Sequence, residues 1–122
     1  MGPQHAADAA AVKAEIASLD AAAALLRAHP DEEIEFWSPA NAAQIQGILW
    51  FVTLRRELKN SFPGRHFDFV LECGSRGDLA IEALRHAFSG VHLTASGDVR
   101  RKVEDIATAS GARVWTERPI FP

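Results

Sequence analysis

What most constrains this chain is a rhythm of short apolar runs, each stopped by turn-forming residues and followed by a stretch with helical spacing. It is clearest from Phe67 to Leu84, FDFVLECGSRGDLAIEAL. There an apolar run ends in Glu72–Cys73–Gly74–Ser75–Arg76–Gly77–Asp78, and Leu79, Ala80, Ala83, Leu84, Ala87 and Phe88 then recur at helical intervals. The run from Phe67 to Cys73 is nearly continuous in apolar residues, the pattern of a strand covered on both faces. Asp78 or Ser75 is the expected cap of the helix that follows.

The same alternation extends in both directions. Ile34 to Trp37 reads as a strand stopped by Ser38–Pro39. Asn41 then opens a long helix reaching about Phe62, where Pro63–Gly64 ends it. Val91 to Ala95 is a strand, Asp98 caps a helix carrying Val99, Val103, Ile106 and Ala107, and Gly111 stands where a helix terminus favours positive φ. Arg113 to Thr116 is the last strand. Residues 12–17 have two readings. Val12, Ile16, Leu19, Ala23 and Leu26 fit one long alanine-rich helix. Alternatively, a short strand precedes a helix capped by Ser18 or Asp20 and ended at His29–Pro30. The alternation elsewhere favours the strand. Strand–helix alternation predicts an α/β fold with a parallel sheet and right-handed crossovers. The expected form is a three-layer flavodoxin-like domain spanning 11–122, with five strands ordered 2-1-3-4-5 and a disordered stretch over 1–10.

Bulk properties narrow the function. The 13 basic and 16 acidic side chains are interspersed and leave a net charge of −3, so nucleic acid is not an expected partner. No segment approaches the ~18 apolar residues of a membrane span, and residues 1–10 lack the regions of a signal peptide. One cysteine excludes an internal disulfide, so a cytoplasmic location is expected. The five histidines, at 29, 66, 86 and 92 besides His5, show no metal-ligand spacing. There is no P-loop, GxGxxG or GxSxG, and no metal or other cofactor is expected.

Open parallel sheets usually keep their sites at the carboxyl ends of the strands. Cys73 lies there, where a helix dipole and Arg76 favour a thiolate, and Glu72 is a candidate acid–base partner. Both also have a bland reading, Cys73 as core packing and Glu72 as an ion-paired surface carboxylate. Gly74, Ser75 and Arg76 suggest a backbone nest for an anion. Arg100 and its neighbours occupy a first helical turn, where the dipole disfavours cations. Together with Ser38, Thr94, Ser96 and Arg118 they define an expected binding edge for a small anionic ligand or an acidic protein partner. In the 41–62 helix, apolar residues spread over roughly 220° of the circumference, more than one sheet face needs, with Trp50 outside even that arc. Either neighbouring helices and loops cover the excess, or Trp50, Phe51, Leu54 and Leu58 form the interface of a homodimer.

Two resemblances add to this. Ser18–Leu19–Asp20, Ser38–Pro39, Trp50–Phe51, Pro63, Val70–Leu71, Cys73–Gly74, Gly77, Ala83–Leu84–Arg85 and Gly111–Ala112 resemble a group of small uncharacterised bacterial α/β proteins. That likeness supports the short first strand and implies no activity. The carboxyl-terminal half is similar to response-regulator receiver domains. Leu93–Thr94–Ala95 resembles the end of their fourth strand, and Gly111–Ala112 and Arg118–Pro119 resemble their glycine–alanine and lysine–proline pairs. Cys73 stands at the position of the phosphoaccepting aspartate and Arg118 at that of the lysine, so the resemblance implies a degenerate receiver-like module without aspartyl phosphorylation. The expected function is a non-catalytic regulatory or interaction module. The alternative is a small enzyme acting on an anionic substrate at the edge around Cys73.

Overall fold

A computed structural model describes residues 12–121; the expected disorder of residues 1–10 falls outside them. Five strands and five helices alternate as β1 (Val12–Glu15), α1 (Leu19–Ala28), β2 (Ile34–Trp37), α2 (Ala42–Gln46), α3 (Ile48–Ser61), β3 (Phe67–Glu72), α4 (Gly77–Arg85), β4 (Gly90–His92), α5 (Gly97–Ser110) and β5 (Arg113–Trp115). Residues 12–15 are a strand, although local propensity favours helix. Val12 to Glu15 pair with Ile34 to Trp37, and Ser18 starts α1 only afterwards, its hydroxyl accepting the Ala21 amide at 3.1 Å.

The expected long helix is two. Gly47 adopts φ +88°, a conformation that L side chains rarely enter, and separates α2 from α3. The N-cap positions of α4 and α5 are Arg76 and Ser96, neither making a side-chain cap bond. Asp78 and Asp98 instead lie within the first turns, where the dipole favours acidic groups. Gly111 closes α5 in the left-handed region, as its placement in the sequence suggests.

All five strands are parallel, but their order is 1-2-3-4-5 and not 2-1-3-4-5. Every crossover steps the same way, so right-handed connections bring every helix to the same face. The core agrees with this. Ile34, Phe36, Phe67, Phe69, Leu71, Val91 and Leu93 alternate onto one sheet face. They form a single cluster with Ala22 and Leu26 of α1, Phe51 and Leu58 of α3, Ala83 of α4, and Val103 of α5. The described residues form two layers in place of the expected three.

Trp37 and Val70 are buried yet stand apart from that cluster, because they point to the other face, which is helix-free among the described residues. The pairing registers place Lys13, Glu35, Glu72, His92 and Trp115 there with them. Aromatic rings seal this face where a second helix layer was expected. Trp37 packs edge-on against Trp115 at 5.2 Å and against Phe121 at 5.9 Å. Trp115 also lies over Gly90, where a Cβ would come within 3.1 Å of the indole nitrogen. The continuous burial of β2 and β3 thus has a different cause from the one the sequence suggested.

Candidate functional site at the carboxyl edge of the sheet

Unidirectional winding removes the point where strand order reverses, and with it the crevice such folds use for ligands. The carboxyl edge instead holds a buried polar cluster. Ser38 follows β2, Glu72 ends β3 and His92 ends β4, and the Glu72–His92 register places the last two side by side. Glu72 Oε2 meets His92 Nδ1 at 2.5 Å, and both side chains are buried. The carboxylate also accepts the amides of Asn41 and Gly74, each at 3.2 Å, while the Glu72 amide donates to Ser38 Oγ at 2.9 Å. His92 Nε2 faces the Thr116 carbonyl at 3.2 Å. Both ring nitrogens therefore face oxygen partners, one a side chain of β3 and the other the main chain just beyond β5.

The expected cationic edge is present but occupied by its own chain. The Arg76 guanidinium is bound to Asp78 at 2.9 and 2.6 Å, and its hydrogen bond holds the Asp78 carboxyl below the usual carboxylate range. Arg100 is bound to Glu104, to the Leu93 carbonyl and to Thr116 Oγ1 at 3.0, 2.9 and 2.9 Å. Arg118 pairs with Glu15 and donates to the Ser38 carbonyl at 2.9 Å. Ser38 is buried, whereas Ser75, Thr94 and Ser96 are exposed. Gly74 takes φ +59° and its carbonyl receives the Thr94 amide, so that turn stitches β3 to β4. A shallow cleft of about 350 Å³ at the start of α4 and α5 is lined by Ser75, Arg76 and Gly77 of the expected nest beside Asp78 and Lys102, over an apolar floor, with the Arg76 guanidinium already held by Asp78.

Cys73 is fully buried, and its Sγ lies 3.6 Å from the Leu71 carbonyl. Burial, with the nearby Glu72 and Asp78 carboxylates, pushes the thiol up to about 12. Desolvation thus works against the thiolate that the helix terminus and Arg76 would favour, and Cys73 packs in the core. Glu72 is brought to a histidine, but among the described residues no exposed nucleophile joins the pair. His92 is the residue that spacing rules pass over, since its partner is reached across strands and not along the chain.

Of the expected interface residues, Phe51, Leu54 and Leu58 belong to the core beneath α3, and only Trp50 reaches the surface, at 38% exposure. Its neighbours in sequence add Leu49 at 61% and Ile45 at 81%. A groove of about 270 Å³ runs between Leu19, Trp50, Thr53, Leu54 and Glu57.

Among the described residues no helix is long and apolar enough to cross a membrane, and no three His, Cys, Asp or Glu side chains group as metal ligands. The fold and the edge together define a two-layer, singly wound α/β protein with an aromatic-sealed face. Comparison with protein-family models, with curated proteins and with solved structures finds no match.

Proposed function

We propose that the protein is a non-catalytic, cytoplasmic interaction module that docks through the outer surface of α2 and the start of α3, a second copy of the chain being its first partner. One observation carries this reading. Ile45, Leu49 and Trp50 leave large apolar surface in water on one short stretch of chain, whereas the arginines of the carboxyl edge are already bound within the protein. Aromatic and aliphatic groups of this kind supply the desolvated centre of a protein interface. The enzyme alternative needs a reactive Cys73, and a sealed thiol raised to about 12 gives it no support.

Sedimentation equilibrium tests the reading directly. The wild-type chain is expected to show a concentration-dependent dimer that Leu49→Asp abolishes without changing the far-UV spectrum. A monomer at high micromolar concentration, together with no photo-cross-linked protein from a benzophenone side chain placed at Leu49 in cells, removes it.

A further inference from the structure

The chain beyond β5 crosses the helix-free face without joining the sheet. Among the described residues, no main-chain hydrogen bond ties 117–121 to the rest of the protein. Pro119 has no amide to offer. Side chains hold the segment instead. Arg118 reaches Glu15 and the Ser38 carbonyl, and its guanidinium lies 5.7 Å from the Trp37 ring and 5.1 Å from that of Phe121. Phe121 covers Trp37. At the near end, the Thr116 carbonyl caps His92 Nε2 and the Thr116 hydroxyl receives Arg100.

Two features mark the docked state as incompletely satisfied. Arg118 Nη1 is buried with no hydrogen-bond partner, a loss that hydration restores once the segment lifts. Ile120 is 99% exposed, so the segment lays down Phe121 but leaves its neighbouring apolar side chain in water. A segment held by a few side chains, without ladder bonds, belongs to the part of a protein that opens locally before the whole unfolds.

We infer that residues 116–121 form a releasable strap whose lifting bares Trp37 and the Glu72–His92 pair. Arg118 is its latch. When the strap lifts, Glu72 and the Asn41 and Gly74 amides keep their places, because they belong to β3 and the turns beside it. His92 Nε2 then loses the Thr116 carbonyl and faces outward on a ring still oriented by Glu72. The strap and any polar ligand for this nitrogen therefore exclude one another. This is independent of docking through α2 and α3, which lie on the opposite face of the sheet.

Fluorine NMR of protein labelled with 5-fluorotryptophan reads the strap directly, with the Trp37 signal assigned from Trp37→Phe. In the wild-type chain, relaxation dispersion is expected at Trp37 and not at Trp50. Arg118→Ala is expected to shift the Trp37 signal toward its solvent-exposed value and to raise its solvent-isotope shift several-fold, leaving Trp50 unmoved. Arg118→Lys, which keeps the charge but not the fork, should lie between the two. A Trp37 signal free of exchange and unmoved by both substitutions overturns the inference. So does a loss in which the Trp37 and Trp50 signals shift together, since that reports general loosening.

Discussion

Removing either member of the Glu72–His92 pair should reveal how much of the fold rests on it. In Glu72→Ala, the His92 ring and the Asn41 and Gly74 amides all lose their acceptor at once. Breaking a buried, hydrogen-bonded pair by deleting one partner typically costs about 3–5 kcal/mol, and the two stranded amides place Glu72→Ala at the upper end. His92→Ala leaves the carboxylate its two amides, so its cost should fall near the lower end, about 3 kcal/mol. The side chains touch directly, so the double variant should cost less than the sum, with a coupling of about 1.5–3 kcal/mol. A domain of this size has only about 5–15 kcal/mol to lose, so Glu72→Ala removes about a third of it or more. Urea unfolding followed by far-UV circular dichroism gives all four corners of the cycle, with the slope m checked for constancy. Glu72→Gln keeps an acceptor for Asn41 and should be milder than Glu72→Ala. Single costs below about 1 kcal/mol, or a coupling under about 0.5 kcal/mol, would place the pair in solvent and refute the reasoning.

Three further outcomes follow from geometry. The thiol of Cys73, raised from 9.0 to about 12, stays protonated in the folded chain while the unfolded chain ionises. Stability conferred by the buried thiol should therefore fall between those two pH values, by about 1 kcal/mol per pH unit, and Cys73→Ala should lose that slope in alkaline urea titrations. A Cβ on Gly77 would stand 2.5 Å from Val99 Cγ1, so Gly77→Ala should push α4 and α5 apart and cost about 1–3 kcal/mol by thermal unfolding. Phe51→Ala should cost about 3–5 kcal/mol in stability, whereas Trp50→Ala should cost under about 1 kcal/mol and act chiefly on self-association by sedimentation.

Local signals carried the elements well, and long-range ones carried the arrangement poorly. Ser18, Pro30, Gly64 and Gly111 mark boundaries because caps, prolines and positive-φ glycines act within a few residues. Gly47 was passed over, since an apolar stripe continues across it. Strand order depends on where each crossover lands, and connections of this length reach either neighbour. The continuous burial of Ile34 to Trp37 looked like two helix layers because a sequence does not say whether a tryptophan is covered by a helix or by another aromatic ring. The carboxyl edge was legible as a place, with Glu72 and Arg118 in it. Its chemistry was not. Arg76, Arg100 and Arg118 are consumed by partners at Asp78, Thr116 and Glu15, the last of them 103 residues away. His92 entered the site only through a register that pairs it with Glu72.

A sheet wound 1-2-3-4-5 also has a consequence for how it assembles. Each strand finds its neighbour in the next unit along the chain, so no unit waits for a distant one, and each closure in the ladder spans a single crossover. Such a chain can zip from any starting pair. What zipping alone does not supply is a reason for its first and last strands to act as one body. The pairing of Arg118 with Glu15 reaches across the sheet from beyond the fifth strand to the first. A contact that joins the two ends of the ladder is expected to be absent from the folding transition state, and Arg118→Ala should then speed unfolding with little effect on refolding.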